Sequence, residues 1–243
     1  MAHGDEPVPA PQARAVEALF ARRRAGEPMA YITGEREFFG LSLTVNPSVL
    51  IPRPETELVV ERVLAVLRGR VAPRVLDLGT GSGAIAVAIA HERPDAEIWA
   101  SDISADALAT ASGNAARHGV APRMICGDWL RVIRGGRFDV IASNPPYVAE
   151  GDPHLAEGDL RFEPRAALLG GVDGLDCIRQ IAAAARAHLA PGGWLIFEHG
   201  YDQGPACVKL LVGLGYGNVS DARDLSGLSR VCSGQIDAKA ATE

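Results

Sequence analysis

Four residues past the middle of the chain, Asn144-Pro145-Pro146-Tyr147, carry an uneven set of hydrogen-bonding groups. Two consecutive prolines remove two N–H donors and stiffen the backbone, so the carbonyls around them hold fixed directions. The Asn144 side-chain oxygen and the Pro145 carbonyl can together accept both hydrogens of a planar NH₂ group. An amide or arylamine nitrogen is a poor nucleophile because its lone pair is delocalised. Two acceptors would orient that nitrogen and stabilise the positive charge that grows on it during attack. Asparagine does so without adding a full charge, and Tyr147 offers a flat face to a substrate. The alternative is a rigid loop closed by an Asx turn.

A second cluster is Asp77-Leu78-Gly79-Thr80-Gly81-Ser82-Gly83, which follows the apolar pair Val75-Leu76 and leads into an alanine-rich stretch. Strand, glycine turn and helix in that order form a ligand-binding context. Glycine lets the backbone approach a ligand closely, and the helix start offers unpaired N–H groups. The spacing D-x-G-x-G-x-G is not the G-x-G-x-x-G of dinucleotide binders. It suits S-adenosylmethionine, which lacks a pyrophosphate and carries a carboxylate and an ammonium at its methionine end. The turn from Gly79 through Thr80, Gly81 and Ser82 to Gly83 can meet that end, and Asp77 can offset nearby positive charge. Asp102 closes the next apolar run, about 20 residues on, where a carboxylate can accept two ribose hydroxyls. Its alternative role is to cap the following helix, which Ser104 can equally do. In Gly127-Asp128-Trp129, the indole can stack on adenine and Asp128 can accept from the adenine amino group. The alternative is a tryptophan at the rim of the core.

These residues need a frame. From Pro73 onward short apolar runs alternate with alanine-rich stretches. The runs Arg74–Leu78, Glu97–Ala100, Arg123–Cys126, Phe138–Ala142 and Trp194–Glu198 read as strands. Gly83–Glu92, Ala105–His118, Asp173–Leu189 and Gln203–Leu214 read as helices. That alternation predicts an α/β fold with a doubly wound, Rossmann-like, mostly parallel sheet. Tyr216–Ala222 and Ser229–Gly234 predict an antiparallel hairpin at one C-terminal edge. Ligands in such sheets bind outside the carboxyl ends of the strands, which puts both turns on one edge.

Before this unit lie a polar, proline-rich leader (1–11), expected to be disordered, and a helix over Gln12–Arg24 with Val16, Leu19 and Phe20 on one face. Two short strands follow around Gly40, then a proline-punctuated arm over Asn46–Glu57 and a helix over Glu55–Leu67. The expected division is residues 1–57 for leader, helix, hairpin and arm, and residues 58–243 for the catalytic domain.

The 243 residues suffice for one large domain, and a 47% hydrophobic, 22% charged composition excludes a disordered or fibrous chain. A net charge of −6 argues against stable nucleic-acid binding. The four cysteines, Cys126, Cys177, Cys207 and Cys232, form no C-x-x-C pair and are expected to be free thiols. No apolar run reaches the length of a membrane span, and no basic, apolar signal segment opens the chain. The expected address is the cytoplasm. No metal-ligand spacing is present, and a monomer is the simplest expectation. His199 reads as structural, and Arg22–Arg24 as a solvated face.

The cofactor motifs resemble those of class I S-adenosylmethionine-dependent methyltransferases, and Asn-Pro-Pro-Tyr resembles the turn of those that methylate planar nitrogens. Further stretches resemble the release-factor glutamine methyltransferase family of the HemK/PrmC type. These are Tyr31–Glu35, Glu37–Leu41, Leu50–Glu57, Phe162–Leu168, Gly170–Asp176 and Leu189–Gly193. The resemblance spans roughly Gly26 to Gly234. It implies methyl transfer to the glutamine of the Gly-Gly-Gln motif in peptide chain release factors, leaving S-adenosylhomocysteine. It implies cofactor contacts from Gly79–Gly83, Asp102, Trp129 and Asn144, and a substrate grip from Asn144, Pro145, Pro146 and Tyr147. The arm near Arg53 is expected to help close the site, with Arg53 pairing alternatively to Glu55 or Glu57. The family's helical N-terminal domain is represented here by one helix at most, which leaves partner recognition open. Alternatives are a nucleic-acid amino-methylase, a ribosomal-protein glutamine methyltransferase, and a cofactor-binding module without catalysis.

Overall fold

Proline opens the first helix. In a computed structural model that describes residues 9–238, α1 (Ala10–Arg24) starts at Pro9 and takes Pro11 into its first turn. Proline fits there because the first N–H groups of a helix have no intrahelical acceptor. Residues 1–8 of the expected leader lie outside the described part, whereas Ala10 and Pro11 are helical rather than disordered. The apolar stripe on α1 buries nothing: Val16, Leu19 and Phe20 stay 46%, 44% and 60% exposed. In its last turn Arg22 pairs with Glu27 at 2.5 Å and Arg23 lies 3.9 Å from Asp159. A short helix α2 (Met29–Thr33) ends on Gly34 in the left-handed region.

Strands β1 (Glu35–Phe38) and β2 (Leu41–Thr44) form an antiparallel hairpin. Phe39 and Gly40 connect them, both with positive φ, as a two-residue turn of matching twist requires. The arm follows. Its residues Val45, Val49 and Ile51 pack with Tyr31, whose hydroxyl donates to the Val49 carbonyl at 2.7 Å. One 3₁₀ turn, Pro54–Thr56, leads into α3 (Glu57–Val66), so the helix begins slightly later than its apolar period suggested.

The main sheet contains β3 (Arg74–Leu78), β4 (Glu97–Asp102), β5 (Arg123–Cys126), β6 (Phe138–Ser143), β7 (Leu189–Glu198), β8 (Gly217–Arg223) and β9 (Ser229–Gln235). Their spatial order is β5-β4-β3-β6-β7-β9-β8. The first five are parallel; β9 runs antiparallel to β7, and β8 forms the outer edge. The predicted doubly wound sheet and its edge hairpin are therefore both present. Helices α4 (Ala84–Glu92), α5 (Ala105–Arg117), α6 (Asp176–His188) and α7 (Gly204–Gly213) complete the crossovers. Among the described residues no helix is long and apolar enough to cross a membrane.

Both faces of the sheet are covered, which is why its strands read as continuous apolar runs. Val75, Val140 and Ile196 face one core, with α3, α4 and the hairpin residues Phe38, Leu41 and Leu43. Leu76, Ile141 and Phe197 face the other, with α6 and α7. Helix α4, buried over Ala84–Ala90, is apolar all round because packing covers it on every side. Strand β7 starts at Leu189, five residues before the expected start. A register shift opposite Phe138 lets Ala190-Pro191-Gly192-Gly193 remain in the strand. Glycine there marks a bulge rather than a strand end. Helix α6 starts at Asp176 because Gly174, at φ 76°, holds the preceding turn outside it.

Candidate functional site

At the carboxyl end of β3 the chain turns through Gly79 at φ 69° and Gly83 at φ 85°. A Cβ on Gly79 would lie 3.2 Å from Cζ3 of Trp129, tighter than ordinary contact, so the bare glycine lets the indole lie close against the turn. Trp129 has φ 46°, a conformation a bulky residue rarely adopts, and such strain concentrates at ligand sites. The Gly81 N–H donates to Asp102 Oδ2 at 2.9 Å, and the Ser104 N–H to Asp102 Oδ1 at 2.9 Å. Ser104, not Asp102, caps α5, accepting from the Ala107 N–H at 3.2 Å. Asp102 thereby ties the tip of β4 to the glycine turn.

These elements enclose a cavity of about 420 Å³. Gly79, Thr80, Gly81, Ser82, Asp102, Asp128, Trp129, Asn144 and Pro146 all line it, from four different strand ends. Asp77, Gly83, Pro145 and Tyr147 do not. Asp77 lies buried beneath the turn, where Oδ2 accepts from the Thr80 hydroxyl at 2.6 Å. Its Oδ1 is buried without a partner, and burial pushes the carboxyl up to about 7. Gly83 packs against Ala111 of α5. Asp128 pairs with Arg131 at 2.6 Å on the exposed rim.

Sequence reasoning did not single out two residues that hold Asn144. Asn144 Nδ2 donates to Thr56 Oγ1 at 3.0 Å, and the Thr56 hydroxyl donates to Glu198 Oε2 at 2.6 Å. Tyr147 donates its hydroxyl to Glu198 Oε1 at 2.8 Å. Glu198 is 1% exposed, and burial raises its carboxyl while the two hydroxyl bonds oppose that rise. Tyr147 thus braces the turn from behind, its hydroxyl held well above the usual phenol range by burial and Glu198. A glutamate ending the apolar run Trp194–Phe197 was the available signal for Glu198. Thr56 gave none.

The arm supplies a further wall through Ser48, Val49, Leu50 and Pro52, facing Pro164, Ala166 and Ala167. Arg53 bridges these two walls. It pairs with Glu163 at 2.6 Å, and Glu163 Oε1 also accepts from the Ile51 N–H at 3.1 Å. The alternative, a surface pairing of Arg53 with Glu55 or Glu57, is not the one present: Glu57 instead accepts from the Phe39 N–H at 2.9 Å. The buried Glu163 carboxylate outcompetes exposed partners because little water weakens its pull. His199 is buried between Asp221 and the Gly200 carbonyl and does not line the cavity. Cys177 reaches the cavity wall; all four cysteines are free.

A cavity with glycine turn, carboxylate and indole on one wall and Asn144 and Pro146 of the proline turn on another has room and polar groups for an adenosyl cofactor beside a planar nitrogen. The class defined by this sheet and this edge is that of the Rossmann-like methyltransferases. A methyltransferase from Pyrococcus furiosus superposes with a TM-score of 0.62 at 19% identity, over 93% of this chain and 99% of its own. The family model described as methyltransferase small domain matches residues 56–159, and that described as PrmC N-terminal domain matches residues 1–34. The release factor glutamine methyltransferase of Bordetella pertussis is 52% identical over 97% of this chain and 88% of its own length. That of Burkholderia pseudomallei is 52% identical over 96% of this chain and 84% of its own. The chain belongs to the release factor glutamine methyltransferase family.

Proposed function

We propose that the protein methylates the side-chain amide nitrogen of the glutamine in the Gly-Gly-Gln motif of peptide chain release factors, in the cytoplasm and as a monomer. The observation that supports this best is the shared cavity: Asn144 stands on the same wall system as the Gly79–Gly81 turn, Asp102 and Trp129. Bound there, S-adenosylmethionine supplies a sulfonium-activated methyl group. The turn Gly79–Gly83 would meet its methionine end, Asp77 acting through Thr80 from below. Asp102 would accept the ribose hydroxyls, and Asp128 and Trp129 would flank the adenine.

Asn144 and the Pro145 carbonyl would accept the two amide hydrogens of the glutamine, turning its lone pair outward. Pro146 and Tyr147 would fix the turn and the substrate's approach. Among the described residues no histidine or lysine lines the cavity. None is required, because the glutamine nitrogen becomes acidic once it has bonded a fourth substituent and can release its proton afterwards. The orienting acceptors lower the barrier chiefly by holding a reactive geometry.

The test is peptide mapping of a release factor after incubation with this protein and cofactor. The expected outcome is a gain of one methyl group on the Gly-Gly-Gln peptide. With labelled cofactor, label confined to ribosomal protein or to nucleic acid would overturn the assignment.

A further inference from the structure

The side-chain amide of asparagine is nearly symmetric in shape, and its two faces differ only in hydrogen bonding. For Asn144 that difference decides function. If Oδ1 faces the cavity, it accepts from a substrate NH₂ group. If the amide is turned over, Nδ2 faces the substrate and two donors meet. The packing around Asn144 alone cannot choose between these states, so a hydrogen-bond partner has to.

We infer that Thr56 is a positioning residue that sets the flip of the Asn144 amide, and that Glu198 sets Thr56. The chain of contacts runs from Glu198 Oε2 to the Thr56 hydroxyl at 2.6 Å and from Thr56 Oγ1 to Asn144 Nδ2 at 3.0 Å. A hydroxyl has one hydrogen. Glu198 takes it, since the Thr56 and Tyr147 hydroxyls point at its two oxygens, one each, and Thr56 is left with lone pairs to offer. Asn144 then satisfies Thr56 only with its NH₂, and Oδ1 turns to the cavity. Glu198 itself is locked from the other side by the Tyr147 hydroxyl at 2.8 Å, so both of its oxygens are engaged.

The arrangement also joins distant parts of the chain. Thr56 comes from the proline-rich arm, Asn144 from the end of β6 and Glu198 from the end of β7. Thr56 is 3% exposed yet touches the cavity wall. The arm thus does more than cover the cleft: its last residue before α3 orients the group that orients the substrate. This inference rests on the methyl-transfer reading above.

Thr56→Val keeps the shape of the side chain and removes the hydroxyl. It is expected to lower kcat on the order of 100-fold while KM for release factor stays within about threefold, because orientation rather than binding is lost. Calorimetric affinity for S-adenosylmethionine is expected to stay within about threefold. Thr56→Ser restores the hydroxyl and is expected to recover most of the loss. Glu198→Gln alone is expected to lower kcat about tenfold or more, and Thr56→Val/Glu198→Gln to be no slower than Thr56→Val, since the two act through one chain.

A readout independent of turnover is the exchange of the Asn144 side-chain NH₂ protons with solvent, followed by NMR and assigned through its absence in Asn144→Asp. Slow exchange in wild type and fast exchange in Thr56→Val are expected. The inference is overturned if Thr56→Val turns over at the wild-type rate, if Thr56→Ser is as slow as Thr56→Val, if Glu198→Gln has no effect, or if the double variant shows the product of the single losses. Wild type that binds cofactor but methylates no release factor overturns the functional reading instead, and the exchange measurement still decides the hydrogen-bond chain.

Discussion

Asn144 and Asp77 both sit at strand ends, yet they do different work. Asn144 touches the cavity, and Asn144→Ala removes an acceptor while leaving the glycine turn, Asp102 and Trp129 of the same cavity in place. Cofactor affinity is expected to stay within about tenfold, or about 1.4 kcal/mol, while methyl transfer falls below detection; calorimetry and a transfer assay check the two halves. Asp77 is a buried carboxyl moved from an ordinary 3.8 to about 7 by burial. Between those values the folded chain holds a proton that the unfolded chain has lost. Its contribution to stability is therefore full at low pH and lost as pH rises through about 7. Asp77→Asn keeps an acceptor for Thr80 and has no charge to bury. Relative to wild type, the variant is expected to gain up to about 3 kcal/mol between about pH 5 and about pH 8, since the two states differ by one proton only up to about pH 7, read from urea unfolding at both values. An unchanged difference would mean that folding does not raise this carboxyl.

At the scale of elements, the arm and the segment around Glu163 hold each other. Arg53 leaves its partner carboxylate stranded if removed, since the Glu163 side chain is fully buried. Arg53→Ala is expected to cost about 3 kcal/mol and to weaken cofactor binding, because Ser48–Leu50 form part of the cavity wall. The loss should shrink at lower pH, as Glu163 takes a proton and no longer needs its cation. Thermal unfolding and calorimetry of wild type and variant across pH read both effects. Helix α1 gives the contrasting case. Phe20 is 60% exposed, so Phe20→Ser is expected to change stability by less than about 0.5 kcal/mol, by the same unfolding measurement.

For the whole molecule, the hairpin and the sheet share one core. Leu43 of β2 is 0% exposed and belongs with Val59 of α3 and Val75 of β3. A unit built this way unfolds together. Leu43→Ala is expected to cost about 2–5 kcal/mol and to lower the midpoint of a single transition, with circular dichroism and tryptophan fluorescence coinciding. Two separated transitions would show that the hairpin unfolds by itself.

What was legible in the sequence is what depends on neighbours along the chain. The apolar run Arg74–Leu78, the glycines at 79, 81 and 83, and the paired prolines at 145 and 146 constrain their own backbone wherever they are placed. Strands, helices, edge hairpin and both turns followed from that, with errors where a local signal had two meanings, as at Gly192-Gly193. The partners of charged and polar groups were not legible. Arg53 and Glu163 are 110 residues apart, and Thr56 and Glu198 are 142 apart. No period or motif encodes such a distance, and nearer partners such as Glu55 were equally open to Arg53. The sequence by itself determined the fold, the glycine turn and the rigid Asn-Pro-Pro-Tyr turn. Only the tertiary structure decided which hydroxyl meets Asn144 and which carboxylate meets Arg53, because a hydrogen bond is chosen within about 3 Å and packing sets what lies that close.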